Sequence, residues 1–333
     1  MSSLSYAAYL IGAILVMFLV SKFGPKPFIL SGIFLGSVGL LTASITNNRL
    51  IFSLACIIAG MSPGLSWSPF SDSVSRHVRI SLQKRSLAII STGASLGLGA
   101  IALLYILLDG SWQTTWIIGS IVGFLLMIWA KYYIPADHII KNSHSVNHKL
   151  GLLKLINSNT ISLFMACILF GITQATYWTY AADFVQQLFS FNNSNAIFYL
   201  ITGTGGLAGL FAGDLIRLFG FKRSLSITIL VYGFSIFVLF YSHSWIFICI
   251  SGFLFGVTFM LYGAYLPIWS SEVFKHYPAK GFSSSILVMT VGTIIGPAFL
   301  GSTINFIGYK WIFLISSILA LVKLFFIPKT IEN

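Results

Sequence analysis

The side chains best placed for chemistry sit inside an apolar run, residues 160–185. Thr173, Thr176, Tyr180, Asp183 and Gln187 recur there at intervals of three or four, which places them on one face of a helix. Gln174, Tyr177 and Trp178 lie beside that face. An Asp at the centre of a bilayer costs about 2.5–3.5 kcal/mol on insertion scales, so such a stripe must meet protein or water rather than lipid. It is either the wall of a solute cavity or a seam of hydrogen bonds between helices. Asp183 lies near the outer end of its run, where it faces the cavity or is simply solvated at headgroup level. Trp67, in the run 49–70, and Tyr262 and Tyr265, in the run 245–270, would complete an aromatic site. Lipid-facing aromatics are the alternative, in a chain with 16% aromatic residues.

No catalytic constellation accompanies these groups. There is no nucleophile–base pair, no Walker loop and no metal-ligand spacing, so neither an enzyme nor a cofactor is expected. Cys56, Cys167 and Cys249 all lie inside apolar runs and form no Cys-x-x-Cys pair, which suggests packing rather than a disulfide or metal site. His138, His144 and His148 fall in a polar stretch at a spacing that fits no metal site.

The elements that must position these residues are membrane helices. Of the 333 residues 57% are hydrophobic and only 8% charged, with a mean hydropathy of +0.92; a soluble surface needs more charge. Eleven apolar runs are long enough to cross a bilayer: 5–22, 27–47, 49–70, 86–108, 112–134, 160–185, 195–217, 223–242, 245–270, 281–306 and 311–328. They are continuous rather than alternating, which favours helices over a barrel. The fold class expected is an all-α polytopic membrane protein. The net charge of +12 sits between the runs, which argues for membrane topology rather than nucleic-acid binding. One set of connections holds Lys22, Lys26, Arg76, Arg79, Lys84, Arg85, Lys131, Lys141, Lys149, Lys154, Arg217, Lys222, Arg223, Lys275, Lys280 and Lys329; the other holds only Arg49 and Lys310. Positive loops stay cytoplasmic, so the N-terminus is expected outside and the C-terminus inside the cell membrane. Lys323 lies within the last run, close enough to its basic end to snorkel. Trp112, Trp245 and Trp311 flank outer ends as interface anchors.

The chain also repeats itself. Phe23, Gly24 and Lys26 recur 196 positions on as Phe219, Gly220 and Lys222, and Gly60 recurs as Gly256. Gly93, Gly97 and Trp112 recur 199 positions on as Gly292, Gly296 and Trp311. Two units are therefore expected, 1–134 with five helices and 160–333 with six, joined by a cytoplasmic linker at 135–159. The helix at 160–185 has no partner in the first unit.

These residues resemble the major facilitator superfamily of secondary transporters. Gly213, Gly220, Lys222 and Arg223 are similar to that family's loop motif, with Arg217 where the family usually has Asp; in the first copy Ser21 takes that place and Lys22 keeps the basic one. Gly292, Gly296 and Pro297 resemble its Gly-Pro helix motif, and Pro297 would let that helix bend. Glu272, followed by Pro278, Lys280 and Gly281, is similar to the acidic-then-basic pattern before its eleventh helix. Cys56 stands where the family often carries an Arg linked to proton coupling, so the resemblance supports transport more than it supports that coupling. It implies alternating-access transport of a small organic solute by a monomer in the lipid bilayer, with no ATP site. It further implies a cytoplasmic gate in which Arg217, Lys222 or Arg223 meets Glu272, mirrored by Lys22, Lys26 and Asp72. A solute sensor and a truncated, inactive transporter are the rival readings. The family usually has twelve helices, so about 35–40 residues, enough for one span, are expected ahead of Met1.

Overall fold

The computed structural model describes residues 2–136, 158–189, 191, 193–275 and 278–328. Eleven α-helices follow one another: α1 Ser2–Phe23, α2 Pro25–Ile45, α3 Arg49–His77, α4 Ile80–Leu107, α5 Trp112–Tyr133, α6 Ser158–Leu188, α7 Ser194–Gly206, α8 Ala212–Phe219, α9 Phe221–Tyr241, α10 Trp245–Val273 and α11 Pro278–Val322. A five-residue 3₁₀ turn, Leu207–Phe211, joins α7 to α8, so the two form one crossing. Among the described residues ten helices are long and apolar enough to span a bilayer, and the last apolar stretch, Gly281–Phe326, is 46 residues long. At about 1.5 Å per residue it exceeds twice a hydrocarbon core of about 30 Å. It turns at Gly308 and supplies two crossings, which accounts for the runs 281–306 and 311–328.

Local chemistry sets the boundaries. Asn48 caps α3 by accepting bonds from Leu50 N, at 2.8 Å, and Ile51 N, at 3.4 Å, two of the donors a helix start leaves unpaired. The repeated basic turn has one backbone shape in both copies: Gly24 has φ 75° and ψ 171°, and Gly220 has φ 76° and ψ 158°. That region is open essentially to Gly alone, which is why Gly recurs at the marker positions.

The repeat extends from sequence into packing. In the first bundle α1 lies so close to α3 that a Cβ on Gly60 would sit 2.9 Å from Ser5 O; in the second, a Cβ on Gly256 would collide with the Thr202 carbonyl of α7. Ser120 Oγ of α5 donates to Ser37 O of α2, 2.8 Å. Ser317 Oγ, in the final crossing, donates to Gly233 O of α9, also 2.8 Å. The acceptors Ser37 and Gly233 stand 196 positions apart and the donors 197, so each bundle has a serine-to-backbone bond at a similar, though not identical, place.

The symmetry fails at α6. Gly292 and Gly296 let α11 approach α6 until their Cβ positions are filled by the Ile168 and Ile172 carbonyls. The backbone there keeps helical φ and ψ with Pro297 inside the helix, and the one non-helical residue within α11 is Gly308. In the first bundle the matching Gly93 and Gly97 of α4 have nothing described within 4 Å of a built Cβ. The continuous buried core accordingly belongs to the second bundle, running from Leu163 to Ala320.

The candidate site between the bundles

A cavity of about 640 Å³ lies between the bundles. Its walls come from α3 (Pro63, Trp67, Phe70), α4 (Leu87, Ile90, Ser91), α8 (Ile216, Arg217), α10 (Pro267, Glu272) and α11 (Phe282). It is apolar for most of its depth, with Ser66, Ser71 and Ser91 as hydroxyl contacts and Arg217 and Glu272 as the charged ones. Every lining residue comes from the half of its crossing that leads to the cation-rich connections. At the opposite ends the bundles touch. Ser3 Oγ of α1 donates to Ile294 O of α11, 3.4 Å, and Tyr9 packs on the second bundle's core. The turn at Gly110 lies against Asn193, just ahead of α7. Two of the cavity's helices, α3 and α10, carry prolines inside them at Pro63 and Pro267. A proline removes the bond to the carbonyl four residues back, which loosens both helices along the cavity.

Of the ten cavity candidates from the sequence, Trp67 lines this space and the α6 residues do not. Thr173 is buried, donates to Leu169 O at 2.8 Å and shares a bond with Tyr232 Oη at 3.0 Å. Thr176, also buried, donates to Ile172 O, 2.8 Å. The Tyr177 hydroxyl meets Ser251 Oγ at 2.8 Å while its ring stacks on Phe255 at 3.6 Å. Gln174 is buried beside them. In this conformer Thr173 and Tyr177 thus form hydrogen bonds to α9 and α10 inside the second bundle. Trp178 stacks on Tyr199, 6.1 Å between ring centroids, and Tyr180 Oη donates to Pro297 O, 2.8 Å. Asp183 is exposed. Tyr262 stacks on Phe170 at 4.0 Å in the core. Tyr265 meets Phe221 edge-on at 5.9 Å, one layer behind the cavity wall that Phe221 forms.

Of the charged gate residues, Arg217 and Glu272 line the cavity, and those two and Asp72 have local ion-pair partners. Arg217 pairs with Asp214 at 3.3 Å, Glu272 with Lys275 at 3.8 Å and Asp72 with Arg76 at 2.8 Å. The expected Arg217–Glu272 pair is not made, although both residues line the cavity. Lys22 Nζ lies over the Phe23 ring at 5.2 Å. Lys26 is half-buried, and Lys222 and Arg223 are exposed. The linker histidines His138, His144 and His148 lie outside the described residues. Among the described residues, no three metal-type side chains cluster.

One expectation is overturned. Lys323 does not snorkel: it is fully buried, and its nitrogen has no hydrogen-bond partner among the described residues. Nζ lies 4.0 Å from the Tyr232 ring centroid and 4.8 Å from those of Phe170 and Tyr262. Lys323 opens the 3₁₀ turn Lys323–Phe326 that follows α11. Sequence reasoning also misses Pro63 and Pro267; a proline inside an apolar run, on each of two helices with similar places in the repeat, is the available signal.

The family is decided by comparison. Residues 1–217 match the profile of the Major Facilitator Superfamily, and residues 195–331 match it again. The chain belongs to the major facilitator superfamily. Its helical, multi-pass architecture and two-bundle repeat are those of that superfamily. It is also similar to the multidrug resistance protein MdtH of Blochmanniella pennsylvanica (strain BPEN), 25% identical over 145 residues. That alignment takes in 43% of this chain and 35% of MdtH, so the chain spans about a third of the relative's length.

Proposed function

We propose that this superfamily member moves a small, largely apolar organic solute across the cell membrane by alternating access, with the cavity between the bundles as the transit site. The cavity carries the reading: it lies between the two repeats and ends among the cations at one face, while the bundles touch at the other. Positive loops favour the cytoplasm, so this conformer is inward-open, with the N-terminus outside and the C-terminus inside. Apolar walls with a few hydroxyls suit a solute recognised by shape and burial rather than by a charge pair. The printed name of MdtH, a multidrug resistance protein, agrees with a permissive apolar site. Residues 1–134 and 160–333 are the bodies that rock, with 135–159 between them. Arg217 and Glu272 would exchange their local partners for each other as the inner side closes.

The test uses everted vesicles carrying the full chain and a panel of lipophilic cationic, neutral and anionic dyes. Expected is ion-gradient-dependent movement of at least one dye, lost when Ser91→Trp fills the cavity while the protein remains folded. Dye binding that quenches tryptophan fluorescence without any movement would instead establish a sensor. Movement untouched by Ser91→Trp would place the route elsewhere.

A further inference from the structure

Among the described residues Lys323 is the only lysine, arginine or carboxylate that is buried. No described carboxylate pairs with it, and its nitrogen has no hydrogen-bond partner there. What faces it is π surface: Phe170 of α6, Tyr232 of α9 and Tyr262 of α10. Both tyrosine hydroxyls are turned to other partners, Tyr232 Oη to Thr173 Oγ1 at 3.0 Å and Tyr262 Oη to Ala166 O at 3.5 Å. The amine therefore meets ring faces rather than oxygens. The remaining titratable neighbour is the Cys167 thiol of α6, itself fully buried. Two effects oppose each other on this amine. Removal from water favours the neutral form, and three ring faces favour the ammonium. With no carboxylate to hold the proton, neither form is fixed by its surroundings.

A polar path leads away from the amine. Cys167 adjoins Ser285 of α11 as well as Lys323. Ser285 has one hydroxyl proton and two acceptors for it, Gly281 O at 3.0 Å and Ser270 Oγ of α10 at 3.4 Å. A hydroxyl that turns between two acceptors can take a proton at its oxygen and give up the one it held. Ser270 and Ser285 are themselves buried. Each stands within one turn of a residue that lines the cavity, Glu272 on α10 and Phe282 on α11. A thiol and two hydroxyls thus cross a core otherwise built of rings and aliphatic side chains, from the amine to the layer behind the cavity wall.

We propose that Lys323 is a proton-binding site inside the second bundle, loaded and emptied from the cavity side through Ser270, Ser285 and Cys167. On loading, one proton moves along each link and the last forms the third Nζ–H bond. Each relay group gains one proton and gives up one, and no electron is transferred. The loaded ammonium holds the rings of α6, α9 and α10 electrostatically to the last crossing, whereas the empty amine holds them by packing alone. Occupancy of the site therefore sets how firmly four crossings of this bundle are tied together. The site needs no solute, so the inference is independent of the transport reading.

The experiment labels the full chain with lysine carrying carbon-13 at Cε and follows its NMR spectrum in lipid nanodiscs as the pH is changed. The signal missing from Lys323→Met belongs to Lys323, and Lys323→Arg gives the same assignment should the Met variant fail to fold. That signal is expected to move between its ammonium and amine positions within the pH range in which the protein stays folded. Its exchange broadening gives the rate at which the proton comes and goes. Ser285→Ala should slow that exchange about tenfold or more, the effect of one lost hydrogen-bonded link on a rate. Ser270→Ala interrupts the same path and should do the same, so the route is tested even if one of the two fails to fold. Ser302→Ala, at an exposed serine elsewhere on α11, should change nothing. A Lys323 signal held in one form throughout would overturn the site. A signal that titrates at an unchanged rate in the serine variants would overturn the route.

Discussion

Lys323→Met is the substitution whose outcome the structure constrains most tightly. In its protonated form Lys323 is an ion withdrawn from water, and that withdrawal costs several kcal/mol after relaxation. Against this stand three rings with centroids at 4.0, 4.8 and 4.8 Å, each contributing about 2 kcal/mol to a desolvated cation. The two sums nearly cancel. Methionine keeps an unbranched chain in the same slot and gains sulfur–aromatic contacts of about 0.3–1.5 kcal/mol each, so Lys323→Met should shift unfolding by no more than about 2 kcal/mol in either direction. Lys323→Ala leaves the slot empty and should cost about 2–5 kcal/mol, as cavity-forming truncations do. The cation–π contribution itself appears in a double-mutant cycle. Tyr232→Leu should cost about 1–2 kcal/mol more with Lys323 present than in the Lys323→Met background. Denaturant unfolding in mixed micelles supplies the energies, and reaction of the buried Cys167 thiol with a fluorogenic maleimide reports opening of this core. A coupling near zero, or a Lys323→Met variant as damaged as Lys323→Ala, would refute this balance.

The serine-to-backbone bond of each bundle makes a paired prediction: Ser120→Ala and Ser317→Ala should each cost about 0.6–1.7 kcal/mol, the range for hydrogen bonds between membrane helices. Unequal losses under the same unfolding assay would show that the bundles do not share one energetic plan. A cysteine at position 222, in a background without Cys56, Cys167 and Cys249, should react with an impermeant maleimide only from the cytoplasmic side; labelling of intact cells would reverse the orientation.

How much of this is legible in the sequence depends on whether a feature is local. The spans can be read because hydropathy is a property of consecutive residues, and Gly24 and Gly220 can be matched because a Gly-only turn leaves a mark at one position. The run at 195–217 reads as a single helix, whereas the chain tightens into a 3₁₀ turn at Leu207–Phe211 before α8; glycines at 205, 206 and 209 fit either form. The α6 stripe can be found but not assigned. Thr173 and Tyr177 at helical spacing satisfy a cavity wall and an interhelical seam equally well, and the partners that decide, Tyr232 and Ser251, lie 59 and 74 positions away. Lys323 misleads for the same reason. A cation near a helix end is usually a snorkeller, and only the convergence of Phe170, Tyr232 and Tyr262 from three other helices makes an inward path available.

The distribution of large and small side chains bears on how the proposed rocking could occur. Tyr177, Tyr232, Phe255 and Phe313 interlock inside the second bundle, where relative movement of helices would require several rings to change rotamer at once in a close-packed interior. That bundle should therefore move as one body. Between the bundles, α4 meets α7 through Ser95, Gly99, Gly203 and Gly206, backbone against backbone at Gly203 and through the small Ser95 side chain at Gly206. Such a contact can slide or part without rotamer changes, at the loss only of dispersion and weak Cα–H contacts. The glycines that bring α4 and α7 close enough to hold one conformer are the same residues that leave nothing interlocked when it gives way.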